Sequence, residues 1–217
     1  MRIFIPINLR NKIDTLKERI QLSKVEKLQL YQENLIQLNF NVSKIFEDEK
    51  ITSDWEKVSN QIKSLSLPDK TGGVNPGDRQ GIFFLISYFK PNTILEIGTH
   101  LGVSTIHIAA ALKQFNQNTS IETVDILDVN DPKKKPWLKY NSRFSPIELA
   151  EKINYKDISF IKQNSIQYLK SIINKGFDFI FLDGSHAAKD VYQEIALASK
   201  LLNKNGTILL HDYFHNN

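Results

Sequence analysis

From residue 78 onward, short apolar segments alternate with segments of helical period, and this alternation limits the chain to few folds. Strands that are joined through helices run parallel, and such a sheet carries helices on both faces. We therefore expect an α/β fold with a doubly wound, mostly parallel sheet. The predicted strands cover residues 93–97, 121–125, 158–162, 177–182 and 207–211, and the predicted helices cover residues 78–89, 104–115, 147–153, 166–174 and 187–202.

The N-terminal part of the chain has a different pattern. Residues 11–66 contain no glycine, and apolar residues recur there mostly at helical spacing among Lys, Glu and Gln. A loop rich in glycine and proline follows over residues 67–77 and marks a boundary. We predict an N-terminal helical region over residues 1–68 and an α/β domain over residues 69–217. The helical region is expected to pack on the main domain or to join copies of the chain in a homo-oligomer.

The composition excludes several classes of protein. The sequence has no cysteine, so disulfides, thiolate metal sites and a cysteine nucleophile are excluded. No apolar run approaches the roughly 18 residues that a membrane helix needs, and the N-terminus lacks a cleavable signal. We predict a cytoplasmic protein without a membrane partner. The net charge of +4 is modest, and the lysines at 133–135 are typical of a solvated loop rather than of a nucleic-acid surface.

A glycine turn follows the first predicted strand. Gly98 and Gly102 lie between that strand and the next helix, and glycine lets a backbone approach a nucleotide-like ligand closely. Dinucleotide enzymes use the pattern G-x-G-x-x-G at this place. Counted from Gly98, that pattern needs glycine where this chain has His100 and Val103. A nicotinamide-dependent oxidoreductase is therefore a disfavoured alternative.

The turn instead resembles the first motif of the class I S-adenosylmethionine-dependent methyltransferases. Glu96, Gly98 and Gly102 match that motif, His100 replaces its middle glycine, and Asp125 ends the second strand. The resemblance implies a Rossmann-like sheet of order 3-2-1-4-5 and S-adenosyl-L-methionine as the cofactor. It also implies that Asp125 accepts hydrogen bonds from the ribose hydroxyls. The cofactor-binding residues it implies are Glu96, Gly98, Thr99, His100, Gly102, Ser104, Asp125, Asn164, Ser165 and Asp183.

Polar residues also follow the fourth and fifth predicted strands. The fourth strand leads into Asp183 and, three residues later, His186, while the fifth leads into Asp212. The carboxyl ends of neighbouring parallel strands share one rim, so these groups should lie close together. Two close carboxylates repel each other unless a cation such as Mg²⁺ lies between them. The alternative is structural, with Asp183 capping the following helix and His186 hydrogen-bonded near its start.

The segment Asp-Gly-Ser-His at 183–186 is similar to that of metal-dependent sugar O-methyltransferases, and more broadly of the group that includes cephalosporin-hydroxylase-like proteins. This resemblance implies that Asp183 and Asp212 bind Mg²⁺ and that His186 is the general base. Those enzymes carry a second carboxylate where this chain has His211, which we consider as a third metal ligand. The implied activity is methyl transfer to a hydroxyl of a small molecule, with a sugar as one option.

The ends of the chain raise further expectations. Sheets of this family have a C-terminal hairpin after the fifth strand, whereas this sequence ends at residue 217. We expect the hairpin strands to be absent from it, either because the sequence is a fragment or because it is a short variant. That hairpin normally walls the acceptor pocket, which leaves a non-catalytic binding module as an alternative function. Residues 2–8 or a partner chain should cover the open edge of the fifth strand. Residues 71–75 are either a lid over the cofactor or a plain linker, Arg79 is a candidate partner for a carboxylate, and His107 is expected to be structural.

Overall fold

The structure is a computed structural model that describes residues 7–24, 43–68, 73–115 and 119–211. In chain order, its regular elements are the helices α1 (Ile7–Ser23), α2 (Ser43–Phe46), α3 (Glu49–Lys63) and α4 (Pro76–Phe89), strand β1 (Thr93–Ile97), α5 (Val103–Leu112), β2 (Ser120–Asp125), a 3-10 helix (Pro136–Tyr140), α6 (Pro146–Lys152), β3 (Ile158–Lys162), α7 (Ser165–Ser171), β4 (Phe177–Leu182), α8 (Ala188–Ala198) and β5 (Leu202–Leu210).

The strands form a single parallel sheet. Its order is β3-β2-β1-β4-β5, which confirms the predicted Rossmann-like fold. In the register of the sheet, Ile97 pairs with Val124 on one side and with Leu182 on the other. The carboxyl ends of β1, β2 and β4 therefore lie level with one another. The residues that follow these strands share one rim of the sheet.

Hydrophobic side chains cover both faces of the sheet. One buried cluster contains side chains from each of the helices α2, α3, α4, α5 and α6. Ile51 and Ile62 of α3 belong to it, together with Phe83 of α4. The other cluster lies between the sheet, α7 and α8. Trp55 packs against Phe83 with ring centroids 5.3 Å apart. The helices α2 and α3 thus share a core with the α/β part of the chain, and the boundary near residue 68 stays a prediction.

Local sequence signals explain where the helices next to the site begin. Asn75 accepts hydrogen bonds from the first turn of α4, Asp78 reaches back to the Asn75 N–H, and Pro76 opens the helix. Ser145 and Glu148 form the same reciprocal cap at the start of α6. In contrast, α5 is buried along its whole length, and accordingly it is apolar on every side rather than amphipathic.

Some elements differ from the prediction. β5 begins at Leu202, where a helix was expected to continue, because Leu201 and Leu202 are buried and extend the apolar pattern of α8. The 3-10 helix was not predicted. Ile7 and Asn8 lie in helix α1 and so do not form a strand, whereas residues 2–6 lie outside the described residues, so the covering of the edge of β5 stays a prediction. Within the described ranges, none of the helices has the length and apolar character needed to cross a membrane.

Candidate functional site

The glycine turn after β1 is held between β2 and β4. The N–H of Gly98 donates to the carbonyl of Val124 at 2.8 Å. Gly98 has a φ of +100°, and a Cβ there would lie 2.1 Å from the carbonyl oxygen of Asp183. Gly102 has a φ of +73°, and its Cβ would lie 2.8 Å from Pro146. Both positions therefore require glycine, because side chains are disfavoured in the left-handed region and neither site has room for one.

A cavity of about 410 Å³ lies above this turn, at the carboxyl ends of β1, β2 and β4. This volume falls in the range of small-molecule sites in proteins. Most of the predicted site residues line the cavity, namely Gly98, Thr99, His100, Ser104, Asp125, Asn164, Ser165, Asp183 and His186. The prediction missed other lining residues, which include Ile126, Gln163 and Asp190. Ile126 and Gln163 directly follow β2 and β3, so their positions at strand ends were the available signal.

The Asp125 carboxylate is oriented by backbone donors. Its Oδ2 accepts the N–H of His100 at 2.8 Å, and its Oδ1 accepts the N–H of Leu127 at 2.9 Å. An ionised carboxylate offers about four acceptor positions, so each oxygen retains capacity for another donor. Asp125 is thus a preoriented acceptor at the end of β2 on the cavity wall.

Glu96 does not reach the cavity, which corrects its predicted contact with a ligand. Its side chain is fully buried, and its Oε2 accepts hydrogen bonds from the hydroxyls of Thr105 and Thr123, each at 2.5 Å. Burial raises the pKa of Glu96 to about 7, although these hydroxyls and that of Ser104 act in the opposite direction. The carboxyl group ties β1 to β2 and α5 beneath the turn. Gly102 is likewise absent from the cavity wall and supports it by packing against Pro146.

Asn164 and Ser165 line the cavity while serving structural roles. The Asn164 side chain caps α7 by accepting the N–H of Gln167 at 3.1 Å. The Ser165 hydroxyl donates to Oε1 of Glu194 at 2.5 Å, and burial raises the pKa of that glutamate. Their predicted contact with an adenine ring stays a prediction.

The two histidines near Asp183 have different surroundings. His186 is exposed and lines the cavity. His211 is half-buried, with Nε2 at 3.0 Å from Oδ2 of Asp78 and Nδ1 at 3.1 Å from Oδ1 of Asp183. The Nδ1 contact has ion-pair distance but is poorly aligned for a hydrogen bond. Each ring nitrogen of His211 therefore lies against a carboxylate.

The predicted metal site is described only in part, at Asp183 and His211. In the ranges that the structure covers, no three His, Asp or Glu side chains are arranged to share an ion. The third ligand considered, His211, directs one nitrogen at Asp183 and the other at Asp78. The contact with Asp183 brings two of the predicted metal ligands together, and the role of His211 as a ligand stays a prediction. Asp212 lies outside the described residues.

The segment before α4 forms another wall of the cavity. Gly73 and Val74 line it, whereas residues 71 and 72 lie outside the described residues. The Nε of Arg79 donates to the carbonyl of Val74 at 2.9 Å and its Nη2 to that of Pro68 at 3.4 Å, so Arg79 supports this wall. Its pairing with a carboxylate stays a prediction.

His107 has the structural role that was expected. It is buried in α5, and its Nδ1 lies 2.7 Å from the carbonyl oxygen of Val103. Burial lowers the pKa of His107 to about 4, so the ring is neutral near pH 7.

Comparison with known proteins places this site in a family context. A family model described as a methyltransferase domain matches residues 95–213, more than half of the chain. A probable caffeoyl-CoA O-methyltransferase 3 from Dictyostelium discoideum is 27% identical over 135 residues, which cover 59% of this chain and 47% of that protein. The uncharacterized protein R132 of Acanthamoeba polyphaga mimivirus is 28% identical over 121 residues, or 56% of this chain and 51% of that protein. The chain thus spans about half the length of these curated relatives.

Solved structures share the fold. The SAH-bound methyltransferase PaMTH1 of Podospora anserina is 19% identical with a TM-score of 0.51, and the match covers 97% of this chain and 73% of that one. The O-methyltransferase TomG of Streptomyces achromogenes, in complex with SAM, is 16% identical with a TM-score of 0.51, covering 95% and 74%. At these identities the likeness shows the fold alone.

Proposed function

The chain belongs to the methyltransferase-domain family, and from this premise we propose that it binds S-adenosyl-L-methionine in the cavity above Gly98 and transfers the methyl group to a hydroxyl of a small molecule. The observation that carries the proposal is the Asp125 carboxylate, which two backbone N–H groups orient at the cavity wall. A carboxylate in this position suits the two vicinal hydroxyls of a ribose, because a charged acceptor makes strong hydrogen bonds.

The glycine turn and α5 complement the other end of such a ligand. The first N–H groups of α5 follow Gly102 and have no partner within the helix, and the helix dipole adds partial positive charge there. Val103 and Ser104 of this first turn line the cavity. We propose that the carboxylate of the methionine part lies near this end, while the ribose lies near Asp125.

We further propose that His186 is the general base. S-adenosyl-L-methionine supplies a methyl carbon on a sulfonium, and the sulfur leaves as a neutral thioether when the acceptor oxygen bonds to that carbon. The hydroxyl proton of the acceptor then passes to a ring nitrogen of His186, which lines the cavity and can return it to solvent. Histidine suits this step because its ordinary pKa lies near neutral pH.

The name of a relative bears on the methylated atom. The Dictyostelium relative is named as a probable O-methyltransferase, which supports oxygen as the methylated atom. A sugar hydroxyl stays one option for the acceptor. Magnesium assistance stays a prediction: Asp183 lines the cavity, and Asp212 lies outside the described residues.

Calorimetric titration with S-adenosylhomocysteine tests the proposal. We expect wild type to bind and Asp125→Ala to bind at least tenfold more weakly, because hydrogen bonds to a charged group contribute about 1.5–3 kcal/mol. Asp128→Ala is the matched control, since Asp128 is exposed nearby and does not line the cavity. His186→Ala should keep its affinity, because the proposed role of His186 concerns the acceptor.

Two outcomes would contradict these proposals. If wild type does not bind S-adenosylhomocysteine, the proposed cofactor is wrong. If His186→Ala loses affinity as Asp125→Ala does, His186 belongs to the cofactor site and its assignment as base is wrong. Repeating the titration with Mg²⁺ and with EDTA tests the magnesium prediction, which requires affinity or heat to depend on the metal.

A further inference from the structure

His100 occupies an unusual position in the glycine turn. It replaces the middle glycine of the methyltransferase motif that the turn resembles, and its φ of +47° lies in the left-handed region. That conformation is unfavourable for a residue with a side chain, so neighbouring contacts must hold it there. In this conformation the His100 N–H donates to Oδ2 of Asp125 at 2.8 Å. The backbone of His100 thus helps to orient the carboxylate that we assign to the ribose.

The ring of His100 contacts two other walls of the site. It meets the ring of Tyr140 edge to face, with centroids 4.6 Å apart and an interplanar angle of 79°. On the side of Gly73, a Cβ added to that residue would lie 3.7 Å from Nδ1 of His100. The imidazole therefore lies between the segment before α4 and the 3-10 helix.

Tyr140 belongs to the connection between β2 and α6, residues 126–145, which we call the β2–α6 lobe. Trp137 anchors this lobe in the hydrophobic core, with 7% of its surface exposed. The N–H of Ser142 donates to the carbonyl of Trp137 at 3.2 Å and closes the turn after Tyr140. At the other end of the lobe, Ile126 lines the cavity although it is 67% exposed. The lobe is thus connected to the cavity at Ile126 and, through Tyr140, at His100.

We propose that His100 is a positioning residue for the cofactor. The contact between its ring and Tyr140 holds the turn in the conformation that orients Asp125, and it keeps the β2–α6 lobe against the cavity. This inference rests on the proposed function. Glycine at position 100 would adopt the same φ without strain but would also populate others. Ligand binding would then have to order the turn and the lobe, which weakens affinity.

The edge-to-face contact with Tyr140 and the burial of the His100 ring agree with a positioning role for His100. Burial lowers the pKa of His100, while the nearby Asp125 raises it. A neutral ring packs against Tyr140 without a buried charge in the contact. Such pairs contribute enough beyond their buried area for their loss to change a binding constant by about two- to tenfold.

The test combines affinity for S-adenosylhomocysteine with hydrogen exchange of residues 126–145 in the full chain. We expect His100→Gly and Tyr140→Leu each to bind about threefold to tenfold more weakly than wild type. The double variant should be no weaker than the weaker single variant, because both changes remove the same contact. Tyr140→Phe is the matched control, since it keeps the ring and should bind within twofold of wild type. In wild type the ligand should slow exchange in the lobe, and in His100→Gly it should do so much less.

Stability measurements separate this role from a general structural one. His100→Gly removes backbone strain, so its unfolding midpoint should stay close to that of wild type while its affinity falls. Unchanged affinity and unchanged lobe protection in both His100→Gly and Tyr140→Leu would overturn the inference. Absence of binding to wild type would instead overturn the proposed function, so the two failures are distinguishable.

Discussion

Glu96 shows how a residue can support the site without touching a ligand. Its carboxyl group is fully buried beneath the glycine turn and is bonded to hydroxyls of Thr105 and Thr123. Within the described residues, no hydrogen-bond donor meets its second oxygen, Oε1. A charge is costly there, and burial accordingly raises the pKa of Glu96 from 4.5 to about 7.

This raised pKa predicts a pH-dependent stability. Between about pH 4.5 and 7 the folded protein retains a proton that the unfolded chain releases, so the free energy of unfolding falls as pH rises through this window. Above pH 7 the free energy of unfolding has fallen by about 3 kcal/mol in total. Glu96→Gln should therefore be more stable than wild type by up to about that amount at pH 8, and about equal to it at pH 4.5.

Urea denaturation at both pH values measures this difference. Glu56→Gln is the control, because Glu56 lies on the exposed surface of α3 and its replacement should leave stability unchanged at either pH. If the difference in free energy of unfolding between Glu96→Gln and wild type does not grow with pH, the buried carboxyl group does not titrate as described.

At the scale of elements, the turn between β1 and α5 depends on its close approach to the end of β4. The N–H of Asp183 donates to the carbonyl of Ile97 at 2.8 Å, and this bond brings β4 against Gly98. Because a Cβ at Gly98 would lie 2.1 Å from the Asp183 carbonyl oxygen, the strands and the turn cannot accommodate a side chain there. The geometry of the turn is therefore a property of three elements together.

Alanine at two different glycines should have opposite effects. Gly98→Ala must both occupy a positive φ and displace the end of β4, so we expect it to lower stability by about 2 kcal/mol or more. Gly81→Ala should raise stability by about 0.5–1 kcal/mol, because Gly81 lies within α4 and a Cβ there meets no atom within 4 Å. Denaturation midpoints of the two variants test this, and a Gly98→Ala protein as stable as wild type would contradict the description of the turn.

For the whole molecule, α3 belongs to the same core as the helices that flank the sheet. Ile51, Val58 and Ile62 are buried in the same cluster as the side chains of α4 and α5. The N-terminal helices α2 and α3 are therefore part of the structure that supports β1 and its turn. We expect the described parts of the chain that share this cluster to unfold together.

Ile62→Ala tests this coupling. Ile62 is 4% exposed, so its truncation should lower the stability of the whole molecule by about 2–5 kcal/mol in one transition. Ile173→Ala is the control, because Ile173 is 49% exposed and its truncation should change stability by less than about 0.5 kcal/mol. A separate early transition that leaves the main unfolding step in place would instead favour an independent helical region.

Local pattern was sufficient for the strands and for much of the site. The strands β1 and β4 lie where short apolar segments predicted them, because a central parallel strand must be apolar on both faces. The edge strand β3 also lies where it was predicted. Gly98 and Asp125 were identifiable because both directly follow such segments, and residues after parallel strands meet at one rim. The strand order came from the family resemblance rather than from any local pattern.

The amino-acid sequence by itself thus determined most of the strands and helices and the positions of the glycine turn and of Asp125, since these depend on a few neighbouring residues. Tertiary structure alone decided that Glu96 is buried beneath the site, because a strand covered on both faces has no polar alternation to reveal which way a side chain points. It also decided the position of His211, whose partner Asp78 is 133 residues away in the chain. Contacts at such separation depend on how the elements pack, and no local pattern contains that information.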